Sequence, residues 1–246
     1  MDELTILANK YGSDKGNQHG DKHKFTEIYE RYFKQFKDKE INLLELGVKD
    51  GSSLNIWYDY FPNAKIYGLD INDKSIYNNE RIKCIVLDQS HPKYLKDFVR
   101  NTNISFDIII DDGSHHISDQ QITFGHLFPL LKNGGIYVVE DLHTSLKDST
   151  TMLYGRFMEN NDDKTNTTLH YLQNKPYVST FLTQDQNQYI QNNIHSIEIY
   201  DEENTHEWER SITSVIMKNK IKLLYLTPHL STGGMPQFVL KRIEQL

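Results

Sequence analysis

The sequence predicts an α/β fold: a mostly parallel seven-stranded sheet with helices on both faces and an antiparallel last strand. Three observations predict it. Short, nearly continuous apolar runs recur from residue 41 onward, and most of them end in acids. Segments of helical spacing separate most of the early runs. Two late runs then follow one another with no helix between them. Near-continuous apolar strands alternating with helices mean a parallel sheet covered on both faces. Consecutive strands mean an antiparallel hairpin closing it.

Residues 3–11 and 25–36 open the chain with helical spacing: Leu4, Leu7 and Ala8, then Phe25, Ile28, Tyr29, Tyr32 and Phe33. Between them lies the donor-rich loop Gly12-Ser13-Asp14-Lys15-Gly16. Strands are expected at 41–48, 65–71, 82–88, 106–112 and 135–139, with helices at 53–61, 91–100 and 118–131. A polar region, 144–194, holds helical pieces around 168–173 and 184–192. Strands at 196–200 and 211–218 follow, separated by an acidic turn. Lys222–Thr227 then begins one more strand, followed by His229-Leu230-Ser231-Thr232-Gly233-Gly234 and an expected helix. The organisation expected is a helical lid over residues 1–40, a main domain over 41–219, and a strand–loop–helix tail over 220–246.

The 246 residues suffice for a sizeable core. A net charge of -7 argues against a general nucleic-acid binder, because phosphate affinity needs a basic face. The single cysteine, Cys84, cannot form an internal disulfide and fits a reducing compartment. The first residues carry neither a basic n-region nor a long apolar stretch. No apolar run approaches the ~20 residues a spanning helix needs. A soluble cytoplasmic protein is expected.

In an open α/β sheet, ligands bind beyond the carboxyl ends of the strands. The polar residues expected there are Glu45, Gly47 and Gly51 after the first strand, Asp70 after the second, and Asp88, Gln89 and Ser90 after the third. Asp111, Asp112 and His115 follow the fourth, and Glu140, Asp141 and His143 the fifth. The first turn, E-x-G-x-x-x-G, lets a ligand approach the backbone but lacks the G-x-G-x-x-G spacing of dinucleotide sites. An acid on the first strand also suits a cationic or amino end better than a pyrophosphate. Asp70 lies about 20 residues on, where an acid accepts from a ribose diol.

Asp112, Glu140 and Asp141 are expected to converge on adjacent strand ends. Three ionised carboxylates in one cleft repel one another, and a hard divalent cation is the natural compensation. The alternative is that some of them cap helices or pair with Lys and Arg. His115, three residues after Asp112, is placed to take a proton from a hydroxyl held at the cation. His143 is placed to line a substrate pocket. His116, His126, His170, His195 and His206 are read as structural or solvated.

The order E-L-G-V-x-x-G, G-L-D-I, D-Q-S, D-D-G-S-H and V-E-D resembles class I S-adenosylmethionine-dependent methyltransferases, whose fold is Rossmann-like. More narrowly it resembles the metal-dependent sugar O-methyltransferases of the mycinamicin and macrocin type and their capsular relatives. Tyr11-Gly12-Ser13-Asp14-Lys15-Gly16 and Tyr29-Glu30-Arg31-Tyr32-Phe33 belong to the same pattern, which spans residues 8–219. The resemblance implies that Glu45, Gly47 and Gly51 border the methionine end of S-adenosylmethionine. It implies that Asp70 holds the ribose, and Asp88, Gln89 and Ser90 the adenine side. Asp112, beside the cofactor, would hold Mg²⁺ or Mn²⁺ with Glu140 and Asp141, and His115 would be the general base. Tyr11, Ser13 and Lys15 would form a lid near cofactor and substrate.

The tail L-Y-L-T-P-H-L-S-T-G-G-M-P-Q resembles the opening strand and Gly-Gly loop of GT-B-type glycosyltransferases. That implies fusion to a downstream sugar transferase, and a nucleotide-activated sugar such as a GDP-heptose in capsule synthesis as acceptor. The alternative is an extension packing on the main domain. A homo-oligomer is expected. Competing functions are methylation of another polar metabolite, such as a phosphoramidate or catechol, and a non-catalytic nucleoside-binding module.

Overall fold

The computed structural model describes residues 1–147, 150–159, 165–202, 211–220, 222–230 and 236–244. Its centre is a seven-stranded sheet. In chain order the helices and strands begin with α1 (Glu3–Tyr11), α2 (Phe25–Phe33), β1 (Asn42–Leu46), α3 (Ser52–Tyr60), β2 (Lys65–Asp70) and β3 (Ile82–Val86). They continue with α4 (Pro92–Asn101), β4 (Phe106–Asp111), α5 (Ile117–Leu127), β5 (Leu131–Val139), and the short strands β6 (Met152–Leu153) and β7 (Arg156–Phe157). Next come α6 (Thr168–Gln173), α7 (Gln184–Asn193), β8 (Ile194–Glu202), β9 (Ser211–Lys218), β10 (Lys222–Leu230) and β11 (Pro236–Glu244).

The sheet order is β3-β2-β1-β4-β5-β9-β8. The first five strands pair in parallel, and β9 pairs antiparallel with both β5 and β8. The late hairpin expected from two strands without an intervening helix is therefore present. The order of strand addition reverses between β1 and β4, where the connections leave toward opposite edges. Such a switch point opens a crevice at the carboxyl ends of the strands.

Alternation along each central strand feeds two cores, because successive side chains point to opposite faces. Leu43, Ile108, Ile110, Ile136 and Val138 face α1, α2 and α3, where Leu4, Phe25, Tyr29, Phe33 and Trp57 cover them. Leu44, Leu46, Ile109, Tyr137 and Val139 face the other way, under Phe124, Leu127, Tyr171 and Ile190. Residues on both faces are buried, so these strands read as unbroken apolar runs.

Two expectations change. The helices of residues 1–40 are a layer of the core and not a lid. Leu4, Ala8, Phe25, Tyr29 and Phe33 are buried in the first cluster, and the strand ends are reached by the loop between α1 and α2 and by the Tyr29 hydroxyl. In the tail, the segment expected as a helix is β11, which pairs antiparallel with β10 from Lys222↔Glu244 to Leu230↔Pro236 as a separate two-stranded sheet. The arm around Phe238-Val239-Leu240 is a short apolar run with an aromatic and a β-branched residue, which suits a strand. Residues 231–235, which include most of the expected Gly-Gly loop, lie outside the described residues, as do His206 and the acidic turn 203–210. Among the described residues, no helix is long and apolar enough to cross a membrane.

Candidate active site

A cleft of about 730 Å³ opens beyond the ends of β1, β2, β4 and β5. Gly47, Asp70, Asp88, Gln89, Asp112, His115, Asp141 and His143, all expected from the sequence, line it. Tyr11, Ser13, Lys15, Glu45, Gly51, Ser90 and Glu140 do not. A second hollow of about 610 Å³, between β3 and α4, gathers mainly Tyr94, Phe98, Ile104 and their neighbours, and touches the cleft residues only at Ile71, Leu87 and Asp88.

The loop after β1 is shaped by close backbone approach. Gly47 has φ 83°, and a Cβ there would lie 1.9 Å from the carbonyl oxygen of Asp112. Only glycine fits, because the turn needs positive φ and the end of β4 occupies the side-chain position. Asp70 fastens this loop: Oδ2 accepts from the Val48 and Lys49 amides at 3.0 and 3.2 Å, and Oδ1 accepts from Asn72 N at 2.8 Å. On the neighbouring side, Asp88 accepts from Ser90 N and Oγ at 2.9 and 2.7 Å. The Gln89 amide donates to Asp111 Oδ1 and Thr123 Oγ1, both at 3.2 Å, and accepts from Ser114 N at 3.0 Å.

Adjacent acids at the end of β4 part company. Asp111 points into the interior, where burial pushes its carboxyl up to about 7 against the Gln89 hydrogen bond. Asp112 points into the cleft, and the next strand contributes Asp141. One ligating atom each from Asp112, His115 and Asp141 lie within 4.8 Å of one another, a spacing at which one cation reaches all three. His115 Nε2 is 3.3 Å from Asp141 Oδ2 and 3.9 Å from Asp112 Oδ1. Asp141 Oδ1 is buried without a hydrogen-bond partner. Burial raises the Asp141 carboxyl, but His115, His23, His143 and Lys15 outweigh it and hold it below the usual range. Burial lowers the His143 imidazole, opposed by Asp141, whose Oδ1 is 3.6 Å from its Nδ1. Both His115 and Asp141 have positive φ, 58° and 55°. The Thr144 hydroxyl holds the pair, lying 2.9 Å from the His115 carbonyl and 3.0 Å from that of Asp141.

Glu140 is placed differently from the expectation that joined it to Asp112 and Asp141 in one cluster. Both its oxygens have protein partners: Tyr29 OH donates to Oε1 at 2.7 Å, and Lys15 Nζ donates to Oε2 at 2.6 Å. Lys15 also donates to Asp112 Oδ2 and lies 3.9 Å from Glu45 Oε1. Burial opposes the Lys15 charge, yet Asp112, Glu140 and Glu45 together hold its ammonium well above the usual range. Glu45 is fully buried; it accepts from Ser53 Oγ at 2.8 Å and Trp57 Nε1 at 3.1 Å, away from the cleft. The alternation along β1 turns residue 45 toward α3. Tyr11 is also elsewhere, its hydroxyl bonded to Asp59. Ser13 is buried and accepts from Lys15 N at 3.3 Å.

Sequence reasoning missed the hairpin β6–β7. Leu153 and Tyr154 line the cleft, and the Tyr154 ring centre is 6.0 Å from that of His115. The hairpin is tied down by Arg156 on Asp119 at 2.8 and 3.3 Å and by His116 Nε2, 2.9 Å from the Leu153 carbonyl. Its strands have two residues each, too few for a periodic signal. Asp14, Asp21 and His23, from the loop between α1 and α2, complete the opposite rim.

A family model described as a methyltransferase domain matches residues 37–199. Among curated proteins, the chain is 38% identical over 176 residues to 8-demethyl-8-alpha-L-rhamnosyl tetracenomycin-C 2'-O-methyltransferase of Streptomyces olivaceus, covering 69% of this chain and 43% of that protein. It is also 38% identical over 150 residues to mycinamicin VI 2''-O-methyltransferase of Micromonospora griseorubida, covering 58% and 37%. The chain thus spans less than half the length of these relatives. Among solved structures, it is similar to the MycE methyltransferase of mycinamycin biosynthesis in complex with Mg, SAH and mycinamycin VI. The identity is 29%, the TM-score 0.68, and the match covers 89% of this chain and 55% of that one.

Proposed function

This chain belongs to the methyltransferase-domain family, and from that premise we propose that it transfers a methyl group from S-adenosylmethionine to a sugar hydroxyl with the help of a divalent cation. The observation that carries the proposal is the gathering of Asp112, His115 and Asp141 at the mouth of a cleft walled by Gly47, Asp70 and Asp88. The sugar methyltransferases it resembles, and a structure solved with Mg and SAH, support the same reading.

The residues fit both groups. Gly47 lines the cleft, its side-chain position taken up by the end of β4, and Asp70 and Asp88 line the side where a nucleoside would lie. Asp112 and Asp141 are oxygen donors suited to Mg²⁺ or Mn²⁺, and Asp141 Oδ1 is buried without a hydrogen-bond partner. Glu140, now bonded to Lys15 and Tyr29, would be a third carboxylate for such an ion only if it exchanged its bond to Lys15 for the ion. Such an ion would polarise an acceptor hydroxyl and orient it. S-adenosylmethionine would supply an already activated methyl.

The chain's own residues do the rest. The His115 imidazole, oriented by Asp141 and carried on a backbone whose carbonyl accepts from the Thr144 hydroxyl, takes the proton from the attacking hydroxyl. Leu153 and Tyr154 cover one side of the cleft and restrict water. The shaped cleft aligns acceptor and methyl, and such alignment supplies a large share of the rate.

The acceptor class we propose is a sugar hydroxyl with a second oxygen beside it, so that both reach the ion. A nucleotide-activated sugar of a surface polysaccharide is the first to assay, alongside rhamnosides. Methyl transfer is expected to vanish with chelator and to return with Mg²⁺ or Mn²⁺. Transfer indifferent to chelator would remove the cation from the mechanism, and methylation confined to non-sugar acceptors would remove the sugar.

A further inference from the structure

We infer that Lys15 is a built-in counter-cation of the carboxylate cluster and that it competes with the divalent ion, so that metal uptake and docking of the loop between α1 and α2 oppose each other. The inference rests on the metal reading above and adds to it a residue that sets the affinity of the site.

Lys15 is 2% exposed, and its ammonium lies among three carboxylates: Asp112, Glu140 at 2.6 Å and Glu45 at 3.9 Å. Without a cation there, Glu45 and Glu140 would keep their hydrogen-bond donors but have no opposite charge, which is costly for an ionised carboxylate in the interior. Lys15 therefore already performs the electrostatic task that the sequence assigns to a metal. Two of the carboxylates it uses, Asp112 and Glu140, are those assigned to the ion.

The two cations cannot share those oxygens without penalty. A small divalent ion sits about 2.1 Å from a carboxylate oxygen, so an ion on the Glu140 oxygen that faces Lys15 would lie within about 5 Å of a buried ammonium. Like charges at that range in a desolvated site disfavour each other. By linkage, each cation weakens the other by the same factor.

The loop gives this competition a structural readout. The Lys15 carbonyl accepts from Thr26 N at 3.1 Å, so the side chain springs from a fixed point at the start of α2. Asp14 and His23 of the same loop line the cleft, held by Lys49 on Asp14 at 2.9 Å and by His23 Nδ1, 2.6 Å from Ser211 Oγ. Removing the Lys15 anchor therefore loosens one wall of the ligand cleft.

The test is Mn²⁺ binding by the full chain, followed by calorimetry and by the spin-resonance signal of free Mn²⁺, for wild type, Lys15→Met and Lys15→Arg. Lys15→Met is expected to bind Mn²⁺ about ten-fold more tightly, and Lys15→Arg, which keeps the charge, to stay near wild type. In wild type, Mn²⁺ is expected to speed amide hydrogen exchange across residues 12–24. Lys15→Gln carries the comparison if the Met variant fails to fold. A folded neutral variant with unchanged or weaker Mn²⁺ affinity overturns the inference, and so does exchange in the loop that Mn²⁺ leaves untouched. Uptake abolished by Asp112→Asn but indifferent to Lys15 removes only this inference. Absence of Mn²⁺ uptake by every form removes the metal reading along with it.

Discussion

Tyr29 on α2 donates its hydroxyl to Glu140 Oε1 at 2.7 Å, and both side chains are buried. The bond ties the N-terminal helical layer to the end of β5, beside the gathering of Asp112, His115 and Asp141. Burial and Asp112 push the Glu140 carboxyl well above its usual range while Lys15 opposes them, so the bond lies between a neutral and a charged one, about 0.5–3 kcal/mol. Tyr29→Phe keeps the ring and removes only the donor. It is expected to lose stability in that range, read by chemical denaturation, without loss of compactness. Unchanged stability would mean that the Glu140 oxygen finds another donor.

His115→Ala is expected to lower turnover about 10²- to 10⁴-fold, the usual contribution of a general base. Binding of S-adenosylmethionine, measured by calorimetry, is expected to persist, because the Gly47 loop and Asp70 are untouched. A variant that keeps turnover removes His115 from proton transfer. A variant that loses Mn²⁺ binding as well makes the imidazole a ligand instead.

Gly47→Ala places a methyl group 1.9 Å from the Asp112 carbonyl at a backbone with φ 83°. The end of β1 must then move away from β4, which shifts Asp112. The expected outcome is a lowered melting temperature together with weaker binding of S-adenosylmethionine. An alanine variant that binds and melts like wild type would show that the loop relaxes freely.

Burial raises the Glu45 carboxyl to about 7 from 4.5; Lys15 opposes the rise and Asp112 adds to it. A folded-state value above the unfolded one means that the native state holds more protons between these limits. This contribution to stability is full below about pH 4.5 and is lost as pH rises through about 7. Glu45→Gln stays neutral throughout. From about pH 5 to about pH 8, the wild-type melting temperature is expected to fall more than that of the glutamine variant. Parallel profiles would place the Glu45 titration outside this window.

The sheet was legible because its chemistry is local to each strand. Phe106–Asp111 and the Gly135–Val139 end of β5 are buried on both faces, so almost every residue there reports the same environment. Their terminal acids mark the carboxyl end, and this made Asp112, His115 and Asp141 findable. The partnership of Lys15 with Glu140 was not legible, because the two lie 125 residues apart and only the sheet topology brings them together. The motif implies that Glu45 borders the ligand, whereas alternation along β1 sends it toward Ser53 and Trp57. The tail misled for a different reason. A glycine pair before a nine-residue segment with a short apolar run fits a helix entry and a strand equally well, since short apolar runs do not fix their own period.

The contrast between Asp111 and Asp112 also bears on how the sheet finds its alignment. Asp111 pairs with Leu46 across the β1–β4 interface and is sealed in, while Asp112 opens to the cleft. Sliding β4 by one residue would turn every side chain to the other face, driving Asp112 inward and pulling Asp111 away from the Gln89 amide that satisfies it. Two consecutive acids with opposed surroundings thus act as a proofreading mark: misaligned pairings are penalised at the mouth of the cleft.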